Sequence, residues 1–261
     1  MRKIKKVKLF PNNNISSLKI VNELKNSLKK YDFELSDDFD LAIAIGGDGS
    51  FLRMVKECNF NKNVYYIGIN TGTLGFAQEI YPNEIDEFLN KLNKSQYKIE
   101  EIGIQETKVY LDDTVDYYNS LNEIVVREEN LNTLKLDISI DNTKLENFAG
   151  DGILISTSFG STAYNLSFGG SIIYNELHTL QITPIAPLNS KSYRSLVNSL
   201  VISKSRIITL KTNNSIILTI DGENHIYDTI KKVETSVNGE IKLLHLEEYD
   251  YTKKINEKFI K

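Results

Sequence analysis

Residues 41–52 read Leu-Ala-Ile-Ala-Ile-Gly-Gly-Asp-Gly-Ser-Phe-Leu, and this stretch decides the fold. Five apolar residues without polar alternation, Leu41 to Ile45, suit a central strand buried on both faces of a parallel sheet. Gly46-Gly47-Asp48-Gly49-Ser50 follows at once, and Phe51, Leu52 and Val55 then mark a short helix. Ligands of open α/β sheets bind at such carboxyl ends of strands, where glycines admit a phosphate close to the backbone and the helix presents its first amides. Asp48 is the odd member, because a carboxylate beside a phosphate is electrostatically unfavourable. It can accept a proton from an attacking hydroxyl or hold a cation that bridges phosphate oxygens. Equally, it can cap the helix while the glycines make a tight turn. The segment lacks the Lys-Ser/Thr end of a P-loop, and Leu52 stands where a dinucleotide fingerprint needs its third glycine.

On either side the chain alternates strands with helices. The opening Met1 to Phe10 places apolar residues between lysines as in a half-buried strand, with Ile4 to Phe10 as its body. Leu18, Val21, Leu24 and Leu28 recur at helical spacing behind the cap-like Asn14 and Ser16. Val64 to Ile69 reads as a further strand, and Ile85, Phe88, Leu89 and Leu92 share one face of a helix opened by Pro82. This pattern predicts an α/β domain over residues 1–98, with a Rossmann-like parallel sheet. Beyond it the period changes. Leu134 to Ile140 alternates strictly before Asp141-Asn142, and Thr229 to Val237 leads into Asn238-Gly239, where a hairpin turn is expected. Residues 99–248 are therefore read as a mainly β domain, a β-sandwich. Tyr251 to Phe259, with Ile255 and Phe259 four apart, predicts a helix in residues 249–261 that packs back on the first domain.

Composition narrows the partners. With 41% hydrophobic and 25% charged residues the chain is ordinary for a globular protein. Its 31 Lys and Arg are spread among 35 Asp and Glu, a net charge of -4, so no basic stripe is available for a nucleic acid. No run approaches the roughly 18 apolar residues that span a bilayer, and no signal peptide follows the basic start. The single cysteine, Cys58, excludes an intramolecular disulfide and a cysteine-rich metal site. A reducing, cytoplasmic setting is the expectation.

A second stretch carries chemistry. Gly150-Asp151-Gly152 opens a strand through Thr157, which runs into the hydroxyl-rich Ser158-Phe159-Gly160-Ser161-Thr162-Ala163-Tyr164-Asn165-Leu166-Ser167 and ends at Gly169-Gly170. Such a turn can bind ribose, phosphate or adenine edges, or it can simply cap a helix. Asn122-Glu123, ahead of the strand Ile124 to Arg127, offers an amide and a carboxylate suited to a diol, although by themselves the two residues read as a turn.

Taken in order and spacing, these segments resemble the NAD kinase family along nearly the whole chain. The resemblance rests on Gly46 to Gly49, on the glycine loop Gly68 to Phe76, on Asn122-Glu123, and on Gly150 to Gly152, Gly160 to Tyr164 and Gly169-Gly170. Ile182 to Pro187 and Asp221-Gly222-Glu223 also fall where the family has related segments. The chain departs from the family pattern at Thr157-Ser158-Phe159 and at Pro187-Leu188, and it carries Ala149 and Glu223 where many members have a basic residue and a glutamine. The resemblance implies an enzyme that uses ATP, or polyphosphate, to phosphorylate the 2′-hydroxyl of the adenosine ribose of NAD. It implies Asp48 as the base and Gly46, Gly47 and Gly49 along the phosphates. Asn122 and Glu123 would meet the adenosine, and Ser161, Thr162, Ala163, Tyr164, Asn165, Leu166 and Ser167 would form its pocket. Asp151 and Ala186 would face the nicotinamide half, and Glu223 would also belong to the binding set. Magnesium would be held largely by phosphate oxygens, and a homotetramer would complete the sites. Diacylglycerol and sphingosine kinases and phosphofructokinases share only the first glycine motif. A non-catalytic NAD(P)-binding module would have no need of Asp48. His178, His225 and His245 lie outside every matched motif and read as surface or structural residues.

Overall fold

Leu41 to Ile45 are completely buried, as a strand flanked on both sides and covered on both faces must be. The computed structural model describes residues 4–72, 75–130, 132–191 and 194–261; Met1 to Lys3 of the expected first strand and Thr73-Leu74 of the second glycine loop lie outside them. The chain forms two compact units. One comprises Met1–Glu101 with Glu240–Lys261, the other Ile102–Gly239. Segment 240–248, which the change of period assigns to the second domain, clusters with the first unit.

The first unit begins β1 (Lys6–Pro11), α1 (Ile15–Lys30), β2 (Glu34–Leu35), β3 (Leu41–Gly46), α2 (Asp48–Glu57), β4 (Tyr65–Asn70) and α3 (Ile85–Asn93). β2, β1, β3 and β4 pair in that order, all parallel, with Val7 opposite Leu41 and Leu41 opposite Tyr65. One face carries Val7, Leu41, Ile43, Ile45, Ile67 and Ile69 into a core closed by Leu24 and Leu28 of α1 and Phe88 and Leu89 of α3. Period-two alternation leaves the small Ala42 and Ala44 for the other face, and Phe51, Met54 and Val55 are the buried residues of the neighbouring helix α2. Helix α1 starts where expected: Asn14 accepts a hydrogen bond from the Ser17 amide at 2.8 Å. Pro82 opens a single 3₁₀ turn, Pro82–Glu84, that leads directly into α3. β2 has no counterpart in the sequence reading, since two exposed residues carry no periodicity.

The chain then continues through β5 (Tyr97–Tyr110), β6 (Val115–Ser120), β7 (Glu123–Glu128), β8 (Leu134–Ile140), β9 (Thr143–Gly150) and β10 (Gly152–Thr157). A 3₁₀ turn (Phe159–Thr162) and the one-turn helix α4 (Tyr164–Ser167) precede β11 (Thr179–Ile185), β12 (Leu200–Ser203), β13 (Ile208–Lys211), β14 (Ile216–Ile220) and β15 (Glu223–Tyr227). Last come β16 (Lys232–Leu246) and α5 (Tyr251–Phe259). In the second unit β12, β11, β10, β7, β14 and β15 form one antiparallel sheet. The facing sheet takes β9, β8, β13, the first part of β16, β5 and β6. Ile124, Val126, Ile153, Ile155 and Leu218 from one sheet and Leu134, Leu136, Ile138, Leu210 and Val233 from the other share a core, which makes this unit the expected β-sandwich. Asp141 and Asn142 both take left-handed backbone at φ 49 and 66, the geometry a two-residue hairpin between β8 and β9 demands.

The hairpin expected at Asn238-Gly239 does not form. β16 runs through it unbroken, with Gly239 at φ 92. Val233 to Thr235 pair with β13 and Lys242-Leu243 pair with β4, so ladder partners on each side of the glycine keep the strand going despite a local turn signal. Among the described residues no helix is long and apolar enough to cross a membrane.

Candidate active site

The glycine motif turns the corner from β3 into α2. Gly47 is the N-cap residue and makes no side-chain cap, while Asp48 is the first helical residue. A Cβ at Gly46 would fall 2.2 Å from Ser50 Oγ, so this position is packed shut. Cβ atoms at Gly47 or Gly49 would meet nothing within 4 Å, which leaves the exposed backbone of both residues open to a ligand at the helix N-terminus. The Asp48 carboxylate does not cap its own helix. Its Oδ2 accepts the Phe76 amide at 3.1 Å and its Oδ1 the Ala77 amide at 2.9 Å. Each carboxylate oxygen can accept two hydrogen bonds, so both keep capacity for a hydroxyl.

The segment that supplies those amides is tightly seated. It runs beside β4, with Ile69 bridged to Ile80 and the Asn70 amide bonded to Ile80 O at 2.8 Å. Gly68 permits the approach, since a Cβ there would fall 2.7 Å from Ala77 O. At Gly75 a Cβ would lie 2.2 Å from Asp48 Oδ1 and 2.1 Å from Gln78 Oε1. Gly75→Ala is therefore expected to push the Asp48 carboxylate out of position and lower kcat by about 10²-fold, the effect of a displacement near 1 Å. Thermal melting alongside steady-state rates checks this; an unchanged kcat would mean that the carboxylate tolerates the shift. The Gln78 side chain is fully buried and its amide has no hydrogen-bond partner, an unmet polar group beside the Asp48 loop.

In the second unit, Asn122 and Glu123 stand where β7 begins. Their amides and that of Leu121 all donate to one carboxylate, Asp221, at 2.9, 3.2 and 2.7 Å. Asp221 occupies a left-handed turn with Gly222, φ 44 and 89, between β14 and β15. The Glu123 carboxyl is pushed up to about 8, first by burial and then by the charge of Asp221, against a hydrogen bond from the Tyr164 amide. Near neutral pH it keeps its proton, so it can both donate to and accept from a diol. Its Oε2 is buried without a partner.

The hydroxyl-rich turn folds against this pair. A Cβ at Gly160 would fall 2.0 Å from Asn122 O, so the turn and the Asn122 backbone touch directly. Ser161 Oγ donates to Ile173 O at 3.2 Å and accepts the Ile173 amide at 3.0 Å. The buried Asn165 donates to Ser161 O and accepts from Thr183 Oγ1 at 2.6 Å. These two residues of the expected pocket thus spend their polar atoms on holding the turn. Thr162, Ala163 and Leu166 are half-buried, and Tyr164 and Ser167 are exposed. Tyr164 carries the Arg127 guanidinium on its ring face at 5.7 Å and accepts from Arg127 Nη2 at 2.9 Å. Asp151 and Ala186 meet at the end of the β10–β11 pair, where the Asp151 amide donates to Ile185 O at 3.0 Å and Ala186 turns left-handed at φ 43. Glu223 lies exposed at the start of β15.

Sequence reasoning gave no task to Asp221, which it met only within a family-like segment, to Arg127, which it met only as the end of a strand, or to Gln78 and Lys254. Only Lys254 left a signal: three residues after Tyr251 and beside Ile255, it is a charge on the apolar face of its helix.

A glycine-lined strand end with one amide-held carboxylate, and a β-sandwich presenting Asn122, Glu123 and Tyr164, are the fold and donor set of a protein that handles nucleotides. Residues 5–97 match the family model of the ATP-NAD kinase N-terminal domain, and residues 121–244 that of the ATP-NAD kinase C-terminal domain. The NAD kinase of Finegoldia magna is 40% identical over 97% of this chain and 97% of its own, and that of Staphylococcus saprophyticus 30% identical over 93% and 91%. The fold matches yeast NADH kinase complexed with NADH at a TM-score of 0.85, with 22% identity over 99% of this chain and 88% of that one. It matches an NAD kinase from Archaeoglobus fulgidus in complex with ATP at 0.77, with 22% identity over 97% of each chain. The chain belongs to the NAD kinase family.

Proposed function

We propose that the chain transfers the γ-phosphoryl group of ATP to the 2′-hydroxyl of the adenosine ribose of NAD, forming NADP. The observation that carries this reading is the Asp48 carboxylate, fixed by two amides at the open helix end of the glycine loop, within the stretch matched to the ATP-NAD kinase N-terminal domain. Phosphoryl transfer asks little covalent chemistry of the protein; it asks for a positioned hydroxyl, a base to take its proton and dipoles to meet the phosphate charge. Asp48 is the base, and the Gly47 to Gly49 backbone lies along the phosphates. Asn122 and the protonated Glu123 receive the adenosine diol, Tyr164 with its neighbours Thr162 to Ser167 walls the adenosine, Asp151 and Ala186 serve the nicotinamide side, and Glu223 belongs to the binding set. Ser161 and Asn165 contribute by holding that wall in shape. Magnesium supplies charge neutralisation to the phosphates. The family likeness supports a cytoplasmic homotetramer.

The test incubates the protein with magnesium, NAD and either ATP or polyphosphate, and reads NADP with an NADP-specific dehydrogenase, while sedimentation gives the mass of the assembly. NADP made with ATP is the expected result; polyphosphate in its place would show a broader donor range. A preparation that binds NAD yet makes no NADP from either donor would reduce the chain to a dinucleotide-binding protein.

A further inference from the structure

Lys254 is a buried cation whose hydrogen bonds go to backbone carbonyls and whose ammonium lies over the Tyr249 ring at 5.4 Å. Only 6% exposed, it sits on α5 and donates from Nζ to Phe76 O at 2.7 Å and to Gln78 O at 2.6 Å. Among the described residues it makes no ion pair, although a buried lysine is ordinarily found with one. The Phe76 carbonyl it grips and the Ala77 N–H that donates to Asp48 Oδ1 belong to the same peptide group. That group is planar and rigid, so an ammonium fixed to its oxygen fixes the direction of its hydrogen. The ammonium also polarises the peptide, which strengthens the N–H as a donor to the carboxylate.

We propose that Lys254 is a positioning residue for phosphoryl transfer, acting through the Phe76–Ala77 peptide to hold the Asp48 carboxylate in its working orientation; this rests on the reading of Asp48 as the base. The surroundings support a built clamp. The Phe76 ring packs against Tyr251 and Phe259 of α5, with centroids 6.1 and 5.4 Å away. Asp250 caps α5 by accepting the Thr252 and Lys253 amides. One residue beyond Gln78, Glu79 is tied to His245 Nδ1 at 2.6 Å and to the Leu246 amide at 2.8 Å, and His245 reaches Glu100 at 3.0 Å through Nε2. Burial pushes the Lys254 ammonium down to about 8, against the raising influence of Glu79, Asp48 and Glu100.

Lys254→Met in the full-length enzyme is expected to lower kcat by about tenfold or more while KM for NAD and ATP stays within about twofold, with folding checked by circular dichroism. Lys254→Arg, which keeps the charge and paired donors, should recover most of the rate; if the methionine variant does not fold, Lys254→Gln carries the same comparison. On an Asp48→Asn background the Lys254 change should cost less than about twofold more, because both act through one group. A wild-type kcat in Lys254→Met, or a full multiplicative loss on the Asp48→Asn background, overturns the proposal. Undiminished turnover in Asp48→Asn alone would instead overturn the role of Asp48 on which it rests.

Discussion

Asp48→Asn is expected to cut NADP formation by about 10²–10⁴-fold, the usual weight of general-base catalysis, while NAD still binds with close to its original affinity. The two substitutable functions of this side chain separate cleanly. Asparagine keeps one oxygen acceptor for the amides of Phe76 and Ala77, at 3.1 and 2.9 Å in the native loop, but it cannot take a proton from a hydroxyl. The loop therefore loses one hydrogen bond of about 1 kcal/mol, whereas the chemical step loses its base. Single-turnover rates with NAD titrated by fluorescence or calorimetry distinguish the outcomes. If binding and turnover fall together, Asp48 is a strut of the loop, and the base must be sought elsewhere.

The second large effect lies in the other unit. Asp221→Ala strips the shared acceptor from the Leu121, Asn122 and Glu123 amides and leaves them turned toward an empty place. Each buried amide without a partner costs about 1–3 kcal/mol. Burial already raises the Asp221 carboxyl, so removing a desolvated charge returns part of that cost. A net loss of about 3 kcal/mol is expected, or roughly 10 °C in the melting midpoint of a chain this size. Glu123 should respond as well. Without the neighbouring charge its pKa falls from about 8, and it ionises closer to neutral pH, so the rise of KM for NAD with pH begins at a lower pH in the variant. A midpoint within about 2 °C of the parent would show that water replaces the carboxylate at little cost.

What the sequence made legible was local. β3 is an apolar run whose partners hardly matter to its reading; β8 alternates strictly, and α5 announces itself by Ile255 and Phe259. The glycine motif told where a ligand would approach, and Asp48 was visible in it as an anomaly. What escaped depends on contacts far along the chain. Asp221 reaches back about a hundred positions to Asn122, and Lys254 about as far again to Phe76, so neither could be assigned a task from its own neighbours. Asn238-Gly239 misled for the converse reason, its turn signal being local and its strand held by distant ladders. Ser161 and Asn165 looked like ligand contacts because hydroxyls and amides do not declare in sequence whether a ligand or the backbone will use them.

The first unit is written in two separated instalments, and a ribosome delivers the second one last. Until Lys242 and Leu243 emerge, β4 lacks its neighbour at Tyr65 and Tyr66 and leaves that part of the strand edge unpaired, the kind of surface on which nascent chains stick to one another. Glycine motif, carboxylate and loop are all made early, yet the lysine that grips the loop is made only after the whole sandwich. The sandwich, by contrast, is an uninterrupted stretch that can close while synthesis continues. A chain cut just after Gly239 would thus carry a complete β unit and a phosphate loop still waiting for its clasp.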